Sequence, residues 1–169
     1  FFPGPGVGGH CIPIDPNYLS WIVRSLGYRF RFVELAQEIS QRMPTYIVQR
    51  VQEALNADQI AVNGSKILLL GVTYKADVSD QRESPAQPLA AQLVRLGAEV
   101  HFFDPYVDVF DVEDLQVLAE CDLASAVDWS DLVVLLQAHQ GIVGSEDLSG
   151  ARRILDTRGV LSGDNVERL

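Results

Sequence analysis

Basic residues are scarce in this chain: Lys and Arg together number 13 against 23 Asp and Glu, a formal net charge of −10. They are scattered rather than clustered, which argues against nucleic acid and anionic membrane surfaces as partners, since both require concentrated positive charge. Cysteine is sparse as well. Cys11 and Cys121 lie too far apart in sequence to suggest a disulfide framework, so a reducing, cytoplasmic compartment is expected. No apolar run approaches the roughly 18 residues of a spanning helix, and the first residues lack the basic-then-apolar pattern of a signal peptide. His10, His101 and His139 show no ligand spacing, so no metal is expected. A dinucleotide fingerprint is missing too, because Gly71 is followed by "VTYK" and a long loop instead of G-x-G-x-x-G. With 47% hydrophobic and 21% charged residues, the chain reads as globular, one domain or one and a fraction.

What is present is concentrated first in "FFPGPGVGGHCIPIDPNYL", residues Phe1 to Leu19. Glycine lets another molecule lie against the main chain, and proline stiffens its neighbours. Their mixture predicts a shaped, rigid loop with something seated on it. Asp15-Pro16 signals a helix start, with Asp15 as the N-cap and Pro16 at the first helical position. Cys11 therefore sits just ahead of a helix N-terminus. The helix dipole favours a thiolate there, and Asp15 pushes the other way. Two readings of Cys11 stay open: a nucleophile for a carbonyl carbon, and a buried, inert space filler. His10 makes a poor partner for it, since adjacent side chains in extended backbone point to opposite sides.

The first helix is expected to stop at Gly27. A second runs from about Val33 to Ala57, with Ile39, Met43, Ile47, Val51 and Leu55 in one i+4 stripe and a kink at Pro44. So long an amphipathic helix needs a partner surface, and a second copy of the chain is expected to supply part of it. The composition changes at Asn63-Gly64. "KILLLGV" is an all-apolar run of the kind buried on both faces of a parallel sheet. Ser84-Pro85 opens a helix with Leu89, Leu93 and Leu96 on one face. "EVHFF" and "DLVVLL" are further strands and "RRILD" is the last, with a helical stretch near "DLQVLAECDL" that places Cys121 in the core. His101 is expected to be packed within its strand. Strands alternating with helices give an α/β fold: a helical region over residues 1–63, then a Rossmann-like, doubly wound parallel-sheet domain over 64–169.

In such a sheet ligands bind beyond the carboxyl ends of the strands. The segments there carry Lys75, Arg82, His139 and Arg158. Cations gathered at that edge of an acidic protein point to a phosphate or pyrophosphate ligand; the alternative is that Lys75 and Arg158 are ordinary solvated loop charges. Asp104 ends the second strand, where an NAD-binding fold keeps its ribose-binding acid. It lies beyond the usual spacing of ~20 residues, and Asp-Pro is more often a turn. The sheet thus reads as a nucleotide binder that is not the hydride-transferring site.

The segments "PGPGVGGHCIPIDPNYL", "FVELAQEIS", "LLLGVTYKADVSDQRESPA", "DPYV" and "ILDTRG" occur in the order found in the nucleotide-sugar 6-dehydrogenases, and the chain resembles that family over almost its whole length. The likeness is greatest to the UDP-N-acetylglucosamine and UDP-N-acetylmannosamine branch; the UDP-glucose branch tends to have Ser, Phe and Lys where this chain has His10, Ile12 and Ile14. The resemblance implies a central helical region that forms a homodimer through the long helix, followed by a UDP-binding domain. It also implies that the N-terminal NAD-binding domain lies outside this chain, which alone would bind UDP weakly and not turn over. It implies oxidation of a UDP-sugar at C6 to the carboxylate, using NAD, in polysaccharide biosynthesis. Carried over by position, Cys11 is the nucleophile that holds a thiohemiacetal and then a thioester, and Asp15 is the acid/base. Phe2, Gly4, Gly6, Val7 and Gly8 cradle the substrate, which Tyr74, Lys75 and Arg158 also contact, and Arg82 reaches the cofactor. Other readings are a UDP-glucose 6-dehydrogenase, a non-catalytic dimeric UDP-binding module in which Cys11 is structural, and, more distantly, a cysteine hydrolase, which lacks a well-placed histidine base.

Overall fold

A strand with no polar side chain is stable only where both of its faces are covered, and the computed structural model, which describes residues 4–112, 115 and 117–169, shows how this is met. The elements run α1 (Asp15–Ser25), α2 (Arg31–Ala57), β1 (Lys66–Leu70), α3 (Ala86–Arg95), β2 (Glu99–Phe103), β3 (Leu118–Ala119), α4 (Leu123–Trp129), β4 (Leu132–Leu135), a 3₁₀ turn (Glu146–Gly150), β5 (Ile154–Asp156) and β6 (Val166–Arg168). The strands form one sheet in the order β3-β2-β1-β4-β5-β6, every pairing parallel. This is the doubly wound arrangement the sequence predicts, with its switch point between β1 and β4.

Alternation along the strands divides the core into two layers. Ile67 and Leu69 of β1, with Val100, Phe102, Leu132 and Val134, pack under α3 and the second half of α2. Leu68, Leu70, Val133 and Leu135 face the other way, onto α4 and the 3₁₀ turn. On α2 the expected stripe divides by position. Ile47, Val51 and Leu55 are buried, whereas Ile39 is 54% exposed. The helix starts at Arg31, two residues earlier than expected, and its helical backbone continues through Pro44. Arg153 clasps Asp58, just past the end of α2, with two hydrogen bonds of 2.9 Å. Arg50 on α2 pairs with Glu167 of β6. The first half of α2 and all of α1 stand off the sheet and carry exposed Trp21, Leu26, Phe32 and Leu35.

Several expectations need correction. Asp15 is the first residue of α1, not its N-cap; Ile14 holds that place and no side chain caps the helix. The reason is that the chain is already wound one turn earlier, where the Cys11 carbonyl accepts from the N–H groups of Ile14 and Asp15. Of the stretch expected to be helical, residues 117–122 are not, and residues 114 and 116 lie outside the described residues. The stretch supplies the two-residue strand β3, and α4 begins at Leu123, capped by Asp122, whose carboxylate accepts from the Ser125 N–H. Cys121, in the turn between them, is exposed rather than in the core. "RRILD" is not the last strand, since β6 adds to its outer edge. Leu96, at the end of α3, is exposed, while Leu89 and Leu93 are buried. His101 is packed as expected, stacked on Trp129 with ring centroids 3.8 Å apart.

Candidate active site

All the strands end at one edge, and the segments leaving β1, β2, β4 and β5 build the site there. The gap between β1 and β4 is shut. Gly71 has φ +75°, and a Cβ on it would lie 2.6 Å from the Gln137 carbonyl oxygen. Asp104, the acid at the end of β2, is buried and accepts from the Val72 N–H at 2.7 Å and the Tyr106 N–H at 2.9 Å. A dinucleotide needs an open glycine turn and a free ribose-binding acid at these two places. Neither is available, so this sheet does not fit NAD.

The edge instead meets the opening loop, residues 4–14, along a tight seam. A Cβ on Gly4 would lie 2.7 Å from Nη1 of Arg158, and one on Gly8 would lie 2.6 Å from Cβ of Tyr74. Gly9, at φ +91°, lies over the Tyr74 ring, its would-be Cβ 2.9 Å from Cε2. The Gly9 N–H donates to the Arg82 carbonyl at 2.9 Å. Glycine is thus required along this loop because side chains and main chain of the sheet domain lie directly against it.

Arg158 follows β5. Its Nε donates to the Leu136 carbonyl at 2.7 Å. Asp156 accepts from the Arg158 backbone N–H, at 2.8 Å, rather than from the guanidinium. Burial pushes the Arg158 pKa down and the negative charge of Asp156 works against that. A cation drawn partly out of water, with no carboxylate of the described residues on its fork, suits a phosphate or carboxylate ligand. Lys75 is exposed on the loop after β1, next to Tyr74.

Cys11 is exposed, which removes the reading of it as a buried space filler. It lies two residues after Gly9, whose N–H donates to the Arg82 carbonyl at 2.9 Å. Arg82 Nε donates to both Asp80 oxygens at 3.0 Å, and this pairing drives the Asp80 pKa down to about 2. Asp15 is exposed one helical turn after Cys11, its N–H donating to the Cys11 carbonyl at 2.7 Å. Freed from capping, its carboxylate is open to solvent and to a ligand. Gly6 and Val7 lie on the other side of the loop, where the Val7 N–H donates to Ser40 Oγ at 3.1 Å. There they border a groove of about 620 Å³ with Pro13, Ala36 and Pro85. Phe2 lies outside the described residues.

The structure therefore joins Gly4 to Arg158, and Gly8 and Gly9 to Tyr74 and Arg82, with Cys11 two residues further along the same loop. It withdraws His139 from the surface cations, because that ring is wholly buried. Sequence reasoning missed Thr73, Asp77 and Asp156. Asp156 is completely buried and accepts from the N–H groups of Arg158, Gly159 and Leu161, which folds the turn that presents Arg158. The available signal was an aspartate closing an apolar strand, "ILD".

Residues 68–163 match the UDP-glucose/GDP-mannose dehydrogenase family, UDP binding domain, and residues 1–42 match the same family's central domain. The chain belongs to this dehydrogenase family. It is 39% identical over 137 residues to the UDP-N-acetyl-D-mannosamine dehydrogenase of Methanococcus maripaludis, a match covering 81% of this chain and 29% of that protein. It is 30% identical over 153 residues to the UDP-N-acetyl-D-glucosamine 6-dehydrogenase of Salmonella typhi, covering 89% of this chain and 35% of the relative. Among solved structures, the UDP-D-ManNAc dehydrogenase of Pyrococcus horikoshii superposes with a TM-score of 0.82 at 28% identity, over 98% of this chain and 39% of that one. The chain thus spans under two-fifths of the length of these dehydrogenases. The family and its UDP-N-acetylhexosamine branch agree with what the opening loop and the sheet-edge segments imply. Among the described residues no helix is long and apolar enough to cross a membrane.

Proposed function

We propose that this chain is the catalytic-cysteine and UDP-binding portion of an NAD-dependent UDP-N-acetylhexosamine 6-dehydrogenase. The observation that carries the reading is the seam: an exposed Cys11 on a glycine loop pressed against Tyr74, Arg82 and the partly desolvated Arg158. Residues 64–169 hold UDP, with Arg158 and Lys75 on the diphosphate side and Tyr74 beside the sugar. Residues 1–63 present the nucleophile and, through the exposed apolar face of α1 and α2, join two copies of the chain. Gly4 and Gly8 let the loop close on Arg158 and Tyr74, so that those side chains and the thiol line one site, while Gly6 and Val7 border the groove beside it.

Arg82 would reach NAD held by parts of the protein beyond this sheet, and that cofactor would supply the hydride acceptor for taking C6 from alcohol to carboxylate level. Cys11 Sγ bonds to the C6 carbonyl carbon of the intermediate aldehyde, so the aldehyde cannot escape between the two oxidations. After the second oxidation the link is a thioester. Water adds to its carbonyl carbon, the C–S bond breaks, and the carboxylate and the Cys11 thiolate are released. Asp15, one turn from Cys11 and without a capping duty, takes the proton of that water.

In the full-length protein, Cys11→Ala is expected to abolish formation of the uronate while UDP still binds; unimpaired turnover would contradict the mechanism. Alkylation of Cys11 separates catalysis from a purely structural thiol. A catalytic Cys11 reacts faster than a model thiol at neutral pH, and a rate no faster than the model favours a binding module.

A further inference from the structure

Beneath the residues that meet the ligand lies a buried polar knot that the reaction above does not use. The His139 ring is fully buried, and its Nδ1 accepts from the Asp77 backbone N–H at 2.9 Å. A neutral ring that accepts at Nδ1 must carry its proton on Nε2. That proton faces Asp104 Oδ2 at 3.1 Å and Thr73 Oγ1 at 3.2 Å. Thr73 spends its own hydroxyl proton on the Lys75 carbonyl, at 2.9 Å, so toward His139 it can only accept. The knot extends further through Asp77. Its Oδ1 accepts from the Gln140 N–H at 2.9 Å and from the Tyr106 hydroxyl at 3.3 Å, and its backbone is left-handed at φ +61°. Three loops, those after β1, β2 and β4, are tied together around one imidazole at the closed switch point.

Tyr74, Lys75 and Ala76 lie inside the tied span, and the first two carry the functional side chains. Thr73 and Asp77 flank them, and both are fixed by His139. The Lys75 carbonyl is held by Thr73, and the Tyr74 ring lies under Gly9. We propose that His139, oriented by Asp104, is a positioning residue: it fixes the Thr73–Asp77 loop so that Tyr74 and Lys75 meet the bound nucleotide sugar in one conformation. The inference rests on the reading above that Tyr74 and Lys75 contact the substrate. Its physical basis is that buried polar groups must keep their partners. Without the imidazole, the Asp77 N–H, the Asp104 carboxylate and Thr73 Oγ1 each lose one at once, and the loop is released from its left-handed turn.

The test uses the full-length protein, hydrogen–deuterium exchange of the peptide spanning Thr73–Asp77, and calorimetric affinity for UDP. His139→Leu is expected to speed exchange of that peptide and to weaken UDP binding about tenfold or more. His139→Asn, which keeps an acceptor for the Asp77 N–H, restores much of both. In the His139→Leu background, Lys75→Ala then costs far less affinity than it does in the wild type, because the lysine is already misplaced. Fully additive losses, or exchange unchanged by His139→Leu, would overturn the proposal. If His139→Leu does not fold, Asp104→Asn, nearly identical in volume, must show the same non-additivity with Lys75→Ala, and additive losses there count equally against it. Should Lys75→Ala leave wild-type UDP affinity intact, the substrate reading of Lys75 fails, and the exchange result alone decides the positioning role.

Discussion

A Cβ at Gly8 would lie 2.6 Å from Tyr74 Cβ and 2.7 Å from the Glu83 carbonyl oxygen, and the second of these is main chain that cannot rotate away. Gly8→Ala is therefore expected to cost about 1–3 kcal/mol of stability through overpacking. It should also lift the Cys11 loop from the sheet edge, seen as faster proteolysis of residues 4–14 and a lowered kcat in the full-length protein. Asp80 makes a different kind of prediction. Its folded pKa is depressed to about 2 by Arg82, against an ordinary carboxyl near 3.9. A depressed acid contributes stability that is fully present above the unfolded value and lost as pH falls through the folded one. The stability gap between wild type and Asp80→Asn should be constant above about pH 4 and close toward about pH 2, measured by urea unfolding. At this scale the sequence was legible where chemistry leaves a local signature, as in the glycines around Cys11. It was illegible where a role depends on distant strands. His139 sits in "QAH" with the look of a surface residue, and only the convergence of three strand ends buries it. Asp15 misled because Asp-Pro signals a cap, and nothing local shows that the turn is already wound before it.

Among the elements, α2 is two objects in one helix. Its second half belongs to the core, and Leu55→Ala there is expected to destabilise the fold by about 2–5 kcal/mol. Its first half packs on α1 and the opening loop, where Ser40 accepts from the Val7 N–H, and leaves Phe32 85% exposed. Phe32→Ser should leave the unfolding midpoint of the isolated monomer nearly unchanged. It should weaken self-association of the full-length protein in sedimentation analysis, and unchanged association would remove this face from the proposed dimer. The i+4 stripe predicts the helix correctly but not this division, because the stripe is apolar along its whole length while the sheet reaches only half of it. Strands were legible in proportion to their burial. β1 and β4 are nearly continuous apolar runs, and β2 is buried from Val100 to Phe102. β3 has two residues, both exposed, and β6 is a partly buried edge strand. Neither produces a periodicity that a reader could find.

At the scale of the whole molecule, the fold brings together two surfaces that are separate in the sequence: a glycine loop carrying a thiol, and a sheet edge carrying Arg158, Lys75 and Tyr74. The most direct test is to look for the covalent link itself. Full-length protein carrying Asp15→Asn, in which hydrolysis should be slow, is mixed with UDP-N-acetylhexosamine and NAD, quenched in acid, digested and mapped by mass spectrometry. The account predicts a sugar-nucleotide acyl adduct on the peptide containing Cys11, absent when NAD is omitted. Uronate production with no adduct on that peptide, and undiminished by Cys11→Ala, would contradict it.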